Sequence, residues 1–112
     1  MQRWFSEGFR SSQAPTVARW RRRVVSTPQA GYVGACHAVK NHDALERLPG
    51  ISMPTLVIAG GGDQRTLVPM LQAITDTVPQ AQFVVIEGVA HLSALEAPAA
   101  FEAAVRTLLA RV

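Results

Sequence analysis

Residues 55–63 read Thr55-Leu56-Val57-Ile58-Ala59-Gly60-Gly61-Gly62-Asp63, and the reading of this stretch decides the fold. A short uncharged apolar run closed by three glycines is the pattern of a strand buried on both faces of a parallel sheet. The pattern returns at Phe83-Val84-Val85-Ile86. Between the two runs, Leu67, Leu71, Ile74 and Val78 form a helical stripe ended by Pro79. Beyond a loop from Glu87 to Glu96, Pro98 opens a last helix with Phe101, Val105, Leu108, Leu109 and Val112 on one face. Strand, helix, strand, helix predicts a right-handed βαβ unit with parallel strands. The fold class is α/β.

Upstream of residue 50 the period changes. Pro15 suits the first turn of a helix, and Val17, Trp20 and Val24 then fall on one helical face. Thr27-Pro28 ends that helix, because the residue before a proline avoids helical geometry. A second helix is predicted from about Gln29 to Val39, and a short third one after Asp43, a good N-cap. The charge changes at the same place. Residues 1–50 hold eight Arg or Lys against three acids, whereas residues 51–112 hold three against five. We therefore divide the chain into a helical cap or lid remainder, 1–50, and a βαβα core segment, 51–112.

With 112 residues, 48% of them apolar and 17% charged, the composition is that of one folded domain. Two parallel strands are few for such a domain, since sheets of this kind are covered on both faces by helices. The expectation is the end of an α/β domain whose earlier strands lie outside these residues. A single cysteine, Cys36, excludes an internal disulfide, and a buried, inert thiol is expected there. No apolar run reaches the roughly 18 residues of a membrane span, and the first residues carry no signal-peptide pattern. The default setting is a reducing cytoplasm, with no membrane partner.

Asp63 follows the first strand and His91 the second, 28 positions later. Sites in parallel α/β sheets form at the carboxyl ends of strands, and adjacent strands lie ~5 Å apart. An acid after one strand can thus meet a histidine after the next. A carboxylate on one ring nitrogen fixes the imidazole tautomer and leaves the other nitrogen free to act as a base.

Four stretches of the chain resemble a known family: Arg3-Trp4-Phe5 with Phe9; Gly31-Tyr32 through Cys36; Met53 through Asp63; and Val85-Ile86-Glu87-Gly88-Val89-Ala90-His91-Leu92-Ser93 with Glu96, Pro98 and Phe101. Together they resemble the C-terminal part of an α/β-hydrolase, with the 3-oxoadipate enol-lactonases as the nearest group. The resemblance implies a partial α/β-hydrolase fold: a helical cap remainder followed by the last two parallel strands and their helices. It implies that Asp63 is the triad acid and His91 the triad base. It also implies a small-molecule lactone or ester as substrate in the complete enzyme, opened by serine-type acyl transfer without a cofactor. The family usually has prolines soon after the acid, whereas this chain reads Gln64-Arg65-Thr66-Leu67-Val68-Pro69, so that loop is expected to take its own path.

The nucleophile of this fold sits in G-x-S-x-G, ahead of the acid and the histidine. The six serines, Ser6, Ser11, Ser12, Ser26, Ser52 and Ser93, show no such pattern. These residues alone are expected to hydrolyse nothing, and to self-associate or to need an N-terminal hydrolase fragment. Arg3 with Trp4 is a candidate contact for an anionic lactone. His37 and His42 lack a third ligand at sensible spacing, so no metal is predicted. The rival reading is a non-catalytic basic helical module for nucleic acid or a protein partner, resting on Arg21-Arg22-Arg23. No recognition motif accompanies those arginines, and a solvated helix face accounts for them, so no nucleic-acid partner is predicted.

Overall fold

A computed structural model describes residues 1–40 and 42–112. Its first half holds three helices, α1 (Glu7–Ser12), α2 (Ala14–Val25) and α3 (Gln29–Lys40), then a 3₁₀ turn at Leu45–Gly50. Its second half runs β1 (Leu56–Gly60), α4 (Val68–Thr77), β2 (Gln82–Ile86), α5 (Ser93–Glu96) and α6 (Pro98–Leu109). β1 and β2 pair in parallel, in register from Leu56 opposite Gln82 to Gly60 opposite Ile86. This is the α/β architecture expected from the alternating periods.

Several local details differ from the sequence reading. The segment after Asp43 is a 3₁₀ turn rather than an α-helix. The Asp43 carboxylate still accepts from the backbone N–H of Leu45, but Pro49 lacks the N–H that a longer α-helix would need. The short helices α1 and α5 were not anticipated. α1 is started by the Ser6 hydroxyl, which accepts from Phe9 N–H. Neither strand is buried on both faces: Leu56–Ile58 and Gln82–Val85 are only half-buried. The helices α4 and α6 that touch the sheet do not cover all of it. Cys36 is exposed, contrary to expectation. No residue of α3 is buried, so nothing shields the thiol.

The buried side chains gather where the strands end. Ala59, Ile86, Val89 and Ala90 join Val78 and Ala104. Phe5, 1% exposed, is the largest fully buried side chain, and its ring stacks on Phe9 at 5.2 Å. The chain's first residues are therefore packed against the second half. Trp4 O accepts from Leu92 N–H, and the Glu96 carboxylate accepts from Ser6 N–H.

Two glycines have specific reasons. Gly88, with φ of 75°, turns the chain out of β2 in the left-handed region that L side chains avoid. Gly60 lies against the backbone of Ala90, so a Cβ there would overlap the Ala90 carbonyl. Because backbone cannot rotate aside, Gly60→Ala is expected to destabilise the chain by about 1–3 kcal/mol. Urea unfolding of the two proteins, each joined to an N-terminal hydrolase segment, measures this. An unchanged midpoint would mean that the loop before His91 yields freely.

Candidate active site

Asp63 and His91 meet at the carboxyl end of the sheet. The β1 end brings one and the turn after β2 brings the other, and the two loops are stitched together by backbone bonds. Gly61 N–H donates to Ile86 O at 2.9 Å and Gly62 N–H to Val89 O at 2.8 Å. His91 Nδ1 then lies 2.8 Å from Asp63 Oδ2. The Asp63 side chain is 5% exposed and that of His91 40%. An ionised carboxylate can only accept, so Nδ1 carries the hydrogen, and in the neutral ring Nε2 has a free lone pair.

Asp63 is held as a carboxylate by its surroundings. Burial pushes its pKa up. The hydrogen bond from His91, the backbone N–H groups of Arg65 and Thr66, and the charge of His91 outweigh burial and bring it below the ordinary value. The Arg65 bond is 2.7 Å, to Oδ1. A carboxyl with a lowered folded-state pKa contributes stability above the ordinary Asp value of about 4. That contribution disappears as pH falls through the lower, folded value. With the chain joined to an N-terminal hydrolase segment, acid unfolding should therefore be steeper below about pH 4 than that of Asp63→Asn in the same hybrid. Matching profiles for the two proteins, followed by circular dichroism, would remove the carboxylate from this account.

The loop bearing His91 is clamped on both sides. Ala90 N–H donates to Glu96 Oε1 at 2.8 Å, and Leu92 N–H donates to Trp4 O at 3.1 Å. The same Glu96 carboxylate takes Ser6 N–H at 3.1 and 3.2 Å. Sequence reasoning gave Glu96 no role. Ser93-Ala94-Leu95-Glu96 fits a capping-box pattern, but Glu96 reaches outside its own helix to satisfy backbone donors of two distant segments.

Arg3 and Trp4 do not touch Asp63 or His91 through any recorded hydrogen bond. They line a cleft of about 790 Å³ between the first residues, α1, α2 and the loop after Asp63. Arg21 faces this cleft, whereas Arg23 lies over the Trp20 ring at 5.5 Å. Among the described residues no three His, Cys, Asp or Glu side chains gather as metal ligands. No helix among them is long and apolar enough to cross a membrane.

The acid and the histidine thus meet, hydrogen-bonded, at the carboxyl ends of two paired parallel strands. The chain belongs to the alpha/beta hydrolase family, whose family model matches residues 1–104. It is similar to 3-oxoadipate enol-lactonase 1 of Acinetobacter baylyi, 35% identical over 99 residues, covering 88% of this chain and 37% of that protein. It is also similar to 3-oxoadipate enol-lactonase 2 of the same organism, 32% identical over 109 residues, covering 97% and 40%. Among solved structures, the enol-lactonase from Burkholderia xenovorans LB400 superposes with a TM-score of 0.92 at 28% identity, covering 96% of this chain and 41% of that one. A thermophilic esterase from Thermogutta terrifontis gives 0.89 at 30% identity, covering 97% and 40%. The chain thus spans about two fifths of the length of these relatives.

Proposed function

We propose that these residues supply the acid and the base of a serine-type lactone or ester hydrolase. The observation that carries the reading is the 2.8 Å contact between His91 Nδ1 and Asp63 Oδ2 at the carboxyl ends of paired parallel strands. The nucleophilic serine comes from outside the 112 residues, since none of the serines here lies in G-x-S-x-G. In this reading residues 1–50 are cap and residues 51–112 are core.

The chemistry follows from the free Nε2. It takes the proton of the serine hydroxyl as that oxygen attacks the substrate carbonyl. Asp63 stabilises the resulting imidazolium and keeps the ring oriented. When the tetrahedral intermediate collapses, the ring C–O bond breaks and the departing oxygen takes the proton from Nε2. Water then attacks the acyl-enzyme, with His91 again accepting the proton, and the serine leaves protonated. Each step balances without a cofactor.

The substrate class is suggested by the relatives, named as 3-oxoadipate enol-lactonases over 88% and 97% of this chain. We assign an anionic enol-lactone as the substrate and Arg3 with Trp4 as its contacts on the cap side. The test is a graft of residues 1–112 onto the N-terminal part of the Acinetobacter baylyi enol-lactonase 1. The hybrid should open an enol-lactone with kcat/KM at least tenfold above that for an uncharged acyclic ester of equal size. Equal rates on the two would leave the hydrolase reading standing and remove the lactone assignment.

A further inference from the structure

We propose that Glu96 is a positioning residue for His91, and that through it the first residues of the chain set where the imidazole stands. The residues on either side of His91 are both held. Ala90 N–H donates to Glu96 Oε1 at 2.8 Å, and Leu92 N–H donates to Trp4 O at 3.1 Å. Glu96 is itself tied back, because both of its oxygens take Ser6 N–H, at 3.2 and 3.1 Å. Apart from the local turn at Leu48–Ile51, the Leu92–Trp4 and Ser6–Glu96 bonds are the only hydrogen bonds between residues 1–50 and 51–112 among the described residues. Both converge on the loop that carries His91.

The side chain of His91 is 40% exposed, so packing holds its ring only in part. Asp63 fixes Nδ1, and the rest of the ring's placement comes from the backbone that carries it. Ala90 O lies against Gly60 of β1, and Glu96 holds the Ala90 N–H. The far end of the tie is firm as well. Phe5, between Trp4 and Ser6, is buried and stacked on Phe9 of α1. The Ser6 hydroxyl caps α1, which leaves its N–H for Glu96. An ionised carboxylate has acceptor sites for both donors at once, and such charge-assisted bonds are the strong ones. Glutamine would accept from Ala90 through its one carbonyl oxygen and set its NH2 group against Ser6 N–H. A misplacement of about 1 Å far from the chemistry can slow a reaction on the order of 10²-fold. Glu96 does not line the cleft beside Arg3 and Trp4, so its loss should act on kcat rather than KM. That catalytic consequence rests on the hydrolase reading; the placement of the ring does not.

The test uses the hybrid of residues 1–112 with the N-terminal part of the Acinetobacter baylyi enol-lactonase 1. Glu96→Ala should lower kcat about 10- to 100-fold with KM within about threefold of the parent. Glu96→Gln keeps the Ala90 bond and loses the one to Ser6, and should lower kcat only about two- to fivefold. Ala104→Gly weakens the helix α6 outside the His91 loop, and should leave kcat within about twofold. The Nδ1–H proton of His91, identified by the loss of its NMR signal in His91→Ala, should be sharp in the parent and broadened by solvent exchange in Glu96→Ala. That signal needs no turnover. An inert hybrid with the same response would remove the hydrolase reading and uphold the placement of the ring by Glu96. A parental kcat in Glu96→Ala, a loss confined to KM, or Glu96→Gln or Ala104→Gly as slow as Glu96→Ala would each overturn the proposal. So would a ring signal absent from the parent or unaltered in Glu96→Ala. Should Glu96→Ala fail to fold, Glu96→Gln decides, and a parental kcat in that variant overturns the proposal.

Discussion

His91→Ala should abolish hydrolysis in a hybrid enzyme that joins residues 1–112 to an N-terminal hydrolase segment bearing G-x-S-x-G. The expected fall in kcat is on the order of 10⁴ to 10⁶, the range seen when one member of a catalytic triad is lost. The physical reason is the geometry at the sheet end. His91 Nδ1 is occupied by Asp63 Oδ2 at 2.8 Å, so Nε2 is the nitrogen through which the serine's proton leaves. Alanine removes that acceptor, and the serine hydroxyl is then a poor nucleophile. Asp63→Asn in the same hybrid should also lower kcat strongly, because an amide can hold the imidazole in the wrong tautomer. The 112 residues alone should show no turnover above the buffer rate, with or without His91. A hybrid with His91→Ala that retains more than a tenth of its rate would refute the base assignment. Turnover by the purified chain that disappears in His91→Ala would instead refute the expected inactivity of the 112 residues, since a group within them would then be the nucleophile.

The second large effect concerns what the chain does alone in solution. Its accessible surface is 7994 Å², whereas a compact monomer of 12.1 kDa would expose about 6,000 Å². Its radius of gyration is 15.8 Å, against about 13 Å for a compact chain of this length. The excess of about 2,000 Å² is the size of a large, permanent protein interface. If a little over half of it is apolar, about 25 cal/mol per Å² makes the unrealised burial on the order of 25 kcal/mol, an upper bound. That exceeds the 5–15 kcal/mol by which domains are usually stable. Both strands of the two-stranded sheet also have an unpaired edge, which templates further strands. The chain alone should therefore self-associate or stay partly molten. Sedimentation should show oligomers, a dye for apolar surface should bind, and near-ultraviolet circular dichroism should be weak. Adding the N-terminal hydrolase segment should reverse all three. A monodisperse monomer with a cooperative thermal transition and no dye binding would overturn this expectation and favour an independent binding module.

Much of this was legible along the chain. The change from helical to strand period near residue 50, the glycine-closed run at 55–62 and the proline helix starts set the α/β order of elements. They did so because backbone preferences and side-chain periodicity are local properties. The placement of Asp63 and His91 after successive parallel strands was enough to bring them to one end of a sheet, since the sheet itself does the work of closing 28 positions of separation.

Tertiary structure decided what depends on neighbours. An apolar strand reads as buried on both faces, but burial belongs to what covers it, and Leu56–Ile58 and Gln82–Val85 are covered only in part. Cys36 reads as buried for the same reason and is exposed, because α3 buries none of its residues. Glu96 looks like a helix cap within its own four residues, yet its carboxylate satisfies Ala90 and Ser6, six and ninety positions away. The cleft brings together Arg3 and Trp4 from the first residues, Arg21 from α2 and Arg65 from the loop after β1, with no periodicity to link them. Short-range preferences fix elements and their order. Long-range hydrogen bonding and the sharing of buried surface determine which side chains meet, and outside the ends of paired strands the positions along the chain do not encode those pairings.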